Sequence, residues 1–320
     1  MKDIPVLIAR GKSLAQAYEN ALIELYKNGR RMSTQYDKPN DPPSLDCSMN
    51  MTVESPLEDP MIHKCFPGSI YDLREYVYEL EGLKDGWTKN IGDEKDTRWE
   101  YTYSQRLTKY GSHKDFHGTP VTIFGDGDED YAINQIEILT NKLIKSPFTR
   151  QAQAILWSPL EDNDCYDPPC WQSLWTRITE ENGIQYLNTN IRFRSNDSFN
   201  AAMMNMFGIT MFIKEKIVDE YTKRTGKFLT MGRINWQADS WHIYGKDIKQ
   251  AEERLFNRIK TTKFEDRVYN FNDLEIQEMY HECEKDILKK IDDKNKEYGV
   301  KSTTQRLKIA GFASSEDTIG

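Results

Sequence analysis

A chain of 320 residues with 38% hydrophobic and 12% aromatic content can cover a large core, so one large domain is expected and two are the alternative. Its net charge of -8 supplies no global positive field, which argues against nucleic acid or an anionic membrane as partner; an anionic ligand must be gripped by local arginines. The five cysteines are odd in number and form no CxxC pair, and the apolar start ending at Arg10 is too short for a signal peptide or membrane span. A reduced, cytoplasmic protein is the expectation.

The N-terminal apolar run reads as a strand. Ser13-Leu14-Ala15-Gln16 then fits a capping box opening a helix to about Tyr26, with Ala17, Leu22 and Leu25 available for burial and Asn28-Gly29 as its stop. Arg30 and Arg31 enter a polar, proline-bearing loop that runs to about Leu45, and Met49 to Val53 alternates as a strand. From Ser69 to Leu83 the spacing of Ile70, Leu73, Val77 and Leu80 predicts a helix with one buried stripe, at whose margin Glu79 is open to a solvated or a functional role.

Gly86 to Arg98 reads as a charged loop, and Trp99 to Leu107 as an aromatic cluster that includes Tyr103. The Gly/Asp-rich connection from His113 to Asp130 lacks the spaced terminal glutamate of a calcium loop, so no metal is assigned. Tyr131 to Lys145 is an amphipathic helix ended by Ser146-Pro147. Ala152 to Trp157, Gln172 to Ile178 and Tyr186 to Phe193 alternate as three successive strands, the last two joined at Asn182-Gly183. A helix from about Phe199 to Tyr221 packs over them, so the class is α+β with a mixed, largely antiparallel sheet rather than a doubly wound fold. Charged helices at Lys249 to Lys260 and Asp273 to Tyr298 and a polar tail complete a single domain spanning 1–320.

Asp167-Pro168-Pro169-Cys170-Trp171 sets a cysteine after two residues that fix φ and donate no hydrogen bond, a rigid mount for a nucleophile or for an inert buried thiol. Taken in order with Arg74-Glu75-Tyr76-Val77-Tyr78-Glu79-Leu80, Thr149-Arg150, Arg192-Phe193-Arg194-Ser195-Asn196-Asp197, Met203-Met204-Asn205-Met206-Phe207 and Ser240-Trp241-His242-Ile243-Tyr244, it resembles the thymidylate synthase family, which includes the pyrimidine-nucleotide hydroxymethylases. The resemblance covers roughly residues 70 to 250. It implies a Cys170 thiolate that adds to carbon 6 of a pyrimidine, its acidity raised by Arg194, and Arg194-Ser195 holding the nucleotide phosphate. It implies Arg150 reaching the same phosphate from the other subunit of a homodimer, His242 and Tyr244 on the ribose 3'-hydroxyl, and Asp197 on the pterin of 5,10-methylenetetrahydrofolate. Glu79 and Tyr103 would manage protons through ordered water. It also places a phosphate loop near Arg30 and Arg31, which by themselves read as solvated.

Asn205 bears on the base, since one amide can accept from uracil N3–H and donate to O4, whereas cytosine presents the reverse polarity. Several positions depart from the family pattern: Gln151 follows Arg150 where a second arginine is usual, Trp171 and Phe193 replace a histidine and a polar residue, and the interval from Cys170 to Arg194 is longer. The ending Asp317-Thr318-Ile319-Gly320 is not apolar. The expected activity is folate-dependent conversion of dUMP to dTMP. Hydroxymethylation of dUMP, dCMP or CMP, and nucleotide binding without turnover, are the alternatives.

Overall fold

A computed structural model describes residues 3–89, 95–110 and 133–300. In chain order the strands are β1 (Val6–Gly11), β2 (Arg30–Met32), β3 (Ser44–Val53), β4 (Ile62–His63), β5 (Ala152–Ile155), β6 (Trp171–Glu181), β7 (Ile184–Phe193), β8 (Asn196–Asp197), β9 (Leu229–Ile243) and β10 (Val268–Tyr269). All but β4 and β10 share one sheet, ordered β1-β3-β9-β7-β6-β5, with β2 beside β3 and β8 beside β9. The β1–β3, β7–β9 and β8–β9 pairs are parallel, and the other pairs in the sheet are antiparallel. This is the mixed, largely antiparallel α+β sheet expected.

Period-2 alternation gives the sheet one apolar face, formed by Met49, Met51, Val53, Leu187, Ile191 and Ile234 and their neighbours. Helix α1 (Leu14–Asn28) covers β1 and β3, opened by the Ser13 cap and closed at Gly29. The helices α2 (Ile70–Leu80), α3 (Tyr103–Thr108), α4 (Gln135–Lys145), α5 (Pro159–Asp162) and α6 (Ala202–Ile213) follow. Helix α6 runs through a π-helical stretch, Lys214–Asp219, into α7 (Glu220–Thr225). The short α8 (Ile248–Ala251) and α9 (Asn257–Ile259) precede α10 (Leu274–Glu282) and α11 (Glu284–Glu297), and both of the last two pack on α2. The opposite sheet face, including Asn50, Trp175, Tyr186, Asn190 and Gln237, is half-buried or exposed.

Several boundaries differ from the sequence reading. Arg30–Met32 is a strand rather than loop, because it pairs with a β3 that begins at Ser44, five residues earlier than expected. Arg30 and Arg31 spend donors on the carbonyls of Asp3 and Pro43. Helix α2 stops at Leu80, two residues before Gly82 adopts φ +90°, and the single helix expected over Asp273 to Tyr298 divides at Cys283. Strand β9 has no counterpart among the expected elements. Its inward-facing positions change parity opposite Leu187/Thr189 and again near Asp239-Ser240, so no continuous alternation marks a strand of 15 residues. The Gly/Asp-rich connection and the polar tail lie outside the described residues. Among those described, no helix is long and apolar enough to cross a membrane and no acidic, histidine or cysteine group could hold a metal.

The β4/β10 ribbon is tied to α1 by a buried cluster. Arg267 donates twice to the Glu19 carboxylate, at 2.8 Å each, and His63 Nε2 lies 2.7 Å from the same group. His63 Nδ1 accepts from the Cys65 N–H, so Nε2 carries the ring proton. Burial pushes the Glu19 carboxyl up, but Arg267 and His63 outweigh it and hold it at about 2 against an ordinary 4.5. A depressed carboxyl contributes stability that is complete above the ordinary value and is lost as pH falls toward the folded one. Glu19→Gln should therefore cost ~3 kcal/mol at neutral pH, and the deficit should shrink as pH drops below 4.5. Urea midpoints at several pH values measure it; a constant deficit would assign the effect to shape instead of charge.

Candidate active site

Parallel pairing of β7 with β9, and antiparallel pairing of β7 with β6, bring the ends of β7 and β9 and the start of β6 to one edge of the sheet. Cys170 precedes β6, Arg194 to Asp197 follow β7, and His242 to Tyr244 close β9. Two consecutive prolines offer carbonyls but no N–H, and Arg194 uses this: Nη2 donates to Pro168 O at 2.6 Å and Nε to Pro169 O at 3.1 Å. Its backbone N–H donates to Cys170 O at 2.9 Å. The turn that carries the sulfur is thus held from three points.

Beneath it the rings of Trp171 and Phe193 stack at 6.3 Å, and Phe193 stacks on Trp236 at 4.9 Å. Tyr103 meets Trp171 edge-on, and its hydroxyl accepts the Trp171 N–H at 3.3 Å. Helix α3 is capped by Thr102 and anchored by Arg106, which pairs in the interior with Asp162 at 2.8 Å and also reaches Glu161.

Helix α2 presents Tyr76 and Glu79 one turn apart. The Tyr76 hydroxyl donates to Asn205 Oδ1 on α6 at 2.8 Å. Its ring lies on Gly208, where a Cβ would come within 2.5 Å of it; only glycine permits this approach. Burial is the main reason that the phenols of Tyr76, Tyr101, Tyr103 and Tyr244 resist ionisation, and charge on Cys170 adds to that resistance at all four. The sulfur is therefore in electrostatic reach of a ring of hydroxyls.

Asp197 accepts from the N–H groups of Phe199 and Asn200 and from the Asn200 side chain. His242 is buried, 4.6 Å centroid to centroid from the edge-on ring of Tyr244. Ser195 is half-buried between Arg194 and β8. Glu79 is pushed up by burial, opposed by Lys84 at 3.2 Å, with Glu75 and Asp85 adding to the rise. Arg150 is exposed beside Trp175, whose indole N–H donates to its carbonyl. Five residues of β6, about 17 Å at ~3.4 Å per residue, separate that point from Cys170. Its own chain does not bring Arg150 to the sulfur.

Burial raises the Cys170 thiol above its ordinary value, Arg194 only partly offsets this, and Asp167 adds to it. The guanidinium lowers the value as anticipated, but desolvation is the larger effect. Sequence reasoning also missed Tyr76 and Lys84. Tyr76 was detectable three residues before Glu79 on one helix face, whereas Lys84 in a charged stretch gives no sign that it is buried between Glu75 and Glu79.

The α+β sheet with a clamped cysteine turn at its edge is a thymidylate synthase-like fold. Residues 73–291 match the family model described as Thymidylate synthase. A protein of Methanosarcina barkeri named "Putative thymidylate synthase" is 24% identical over 245 residues, covering 77% of this chain and 93% of the relative. Proteins of the same name from Methanococcoides burtonii and Methanocaldococcus jannaschii are 27% and 26% identical over 208 and 245 residues, covering 64% and 75% of this chain and 76% and 91% of those relatives. The chain belongs to the thymidylate synthase family.

The thiol geometry sets an alkylation profile. Iodoacetamide should modify Cys170 with a midpoint above that of a free thiol, and Arg194→Gln should move the midpoint higher, since a cation that favours thiolate is lost. Peptide mapping of alkylated protein across pH measures this. A midpoint below the free-thiol value would show that Arg194 prevails over burial.

Proposed function

We propose that this protein methylates carbon 5 of dUMP to give dTMP, working as a homodimer in the cytoplasm, with residues 1–320 as one domain. The observation that carries the reading is the Tyr76–Asn205 pair facing the clamped Cys170 turn. Tyr76 occupies one lone pair of Asn205 Oδ1, which fixes the amide with a second lone pair for N3–H and with Nδ2 hydrogens for O4. That polarity suits uracil. 5,10-Methylenetetrahydrofolate supplies a one-carbon unit and the hydride that reduces it.

Cys170 loses its proton and its sulfur adds to carbon 6, shifting the ring electron pair so that carbon 5 becomes the nucleophile; loss of the carbon 5 proton and of the sulfur restores the ring. Tyr103 and Glu79 are the nearby proton-handling groups, the Glu79 carboxyl held above its ordinary value chiefly by burial. Arg194 keeps Nη1 for the phosphate, since Nε and Nη2 are engaged by the prolines. Ser195 joins it there, and His242 and Tyr244 take the ribose 3'-hydroxyl. Asp197 fits a pterin: its two oxygens offer about four acceptor sites and three are used within the chain. The uncovered sheet face, with Trp175 and Tyr186 on it, and the exposed Arg150 support a dimer in which each Arg150 serves the other subunit's phosphate.

The decisive assay gives the protein dUMP and 5,10-methylenetetrahydrofolate and follows both products by mass spectrometry. Equal amounts of dTMP and dihydrofolate are expected, and Cys170→Ser should abolish turnover while changing dUMP affinity less than about tenfold. Hydroxymethyl nucleotide with unoxidised tetrahydrofolate would make the protein a hydroxymethylase, and no product from dUMP, dCMP, UMP or CMP would make it a binding relative. Asn205→Asp should move preference toward dCMP, because a donor is replaced by an acceptor opposite the exocyclic amine. Competition between dUMP and dCMP measures it; an unchanged ratio would mean that another residue reads the ring.

A further inference from the structure

Behind His242 a polar chain runs into the sheet that no part of the reaction above uses. Asp46 on β3 stands directly across from His242 on β9. Ser240 Oγ donates to Asp46 Oδ2 at 2.8 Å and lies 3.1 Å from His242 Nδ1. A serine hydroxyl has one hydrogen, and here the carboxylate takes it, so toward the ring the same oxygen can only accept. Nδ1 must then carry the imidazole hydrogen, and in the uncharged ring Nε2 is left as a bare lone pair.

The chain is open at the ring. His242 Nε2 is buried without a hydrogen-bond partner among the described residues, whereas the Asp46 carboxylate is also held by the Cys47 N–H. A polar chain serving only to knit β3 to β9 would have its ends satisfied, because orphaned buried polar atoms are costly. The His242 ring sits beside Tyr244, whose hydroxyl, pushed up to about 12 chiefly by burial, also senses Asp197 and Cys170. His242 and Cys170 thus lie at the same end of the sheet.

We propose that Asp46 and Ser240 are positioning residues that hold His242 Nε2 as a hydrogen-bond acceptor, so that the site selects nucleotides whose sugar offers a hydroxyl donor at that point. This rests on the nucleotide reading given above. The selection is by polarity: a sugar lacking the hydroxyl leaves Nε2 unpaired, and an acceptor such as a 3'-O-methyl group meets a second acceptor.

Two measurements on the whole protein test the proposal. In the ligand-free wild type, ¹⁵N resonances of His242 should show hydrogen on Nδ1; Ser240→Ala should move it to Nε2, and Ser240→Thr should restore it. Asp46→Asn reads the same chain if Ser240→Ala does not fold. Isothermal titration should show dUMP binding about tenfold more tightly than its 3'-O-methyl ether in the wild type, because the ether oxygen can only accept. In Ser240→Ala that preference should fall below about twofold, since hydrogen on Nε2 can be donated to either oxygen. Hydrogen on Nε2 in the wild type, or a ring unaffected by either substitution, overturns the proposal whatever the ligand. A full preference kept by Ser240→Ala after its tautomer has moved overturns the selection. Wild-type protein that binds neither nucleotide overturns the nucleotide reading itself, while the resonances still judge the chain.

Discussion

Three hydrogen bonds from Arg194 to the Pro168-Pro169-Cys170 segment fasten the end of β7 to the start of β6, and the site depends on that attachment. It has an electrostatic consequence. A guanidinium whose Nε and Nη2 face backbone carbonyls holds geometry first and acidifies the neighbouring thiol second. Burial of the turn then outweighs the remaining field and pushes the Cys170 thiol above its ordinary value. Rigidity and thiol acidity are opposed in this arrangement, because the same burial that fixes the turn removes water from the sulfur.

The two most conspicuous departures from the family pattern prove to be one feature. Trp171 and Phe193 are register partners across β6 and β7, stacked on each other and continued by Trp236 on β9. Replacing a polar pair by two large rings keeps the sheet edge filled and gives Tyr103 an aromatic wall, so the hydroxyl is aimed by packing as well as by its bond to the Trp171 N–H. Either ring alone would leave a void or an unpaired polar group. Together they are compatible with a folded edge.

What could be read from sequence follows from how local each signal is. The α1 and α2 caps, the buried stripe of α2 and the β6–β7 turn, where Asn182 and Gly183 both take positive φ, involve a few neighbouring residues and were visible. So was the order of the motifs. Strand β9 was largely hidden, since bulges change which of its positions face inward, and it is the strand that joins the two halves of the sheet. Burial of Cys170 was hidden for a related reason: a nearby arginine can be read from spacing, but desolvation depends on the whole fold. Asp46 and Ser240 lie 194 residues apart and meet only through β3–β9 register.

The charged C-terminal helices illustrate the same limit and bear on the chemistry. From sequence they are simply charged helices, yet Lys290 on α11 donates to Glu75 at 2.7 Å and Asn295 accepts from the Trp87 indole. Glu75 would be raised by burial, but Lys290 and Lys84 together pull it below its ordinary value. Lys84 is shared, at 2.8 Å from Glu75 and 3.2 Å from Glu79, so the second carboxyl receives the weaker contact. An ionised Glu75 then adds to burial in raising Glu79. Lys290 on a distant helix thus joins Lys84 in holding Glu75 below its ordinary value, and Glu79 is left as the carboxyl of the pair that burial and its charged neighbour push up. A helix that looks like solvated surface thereby belongs to the electrostatics of the site.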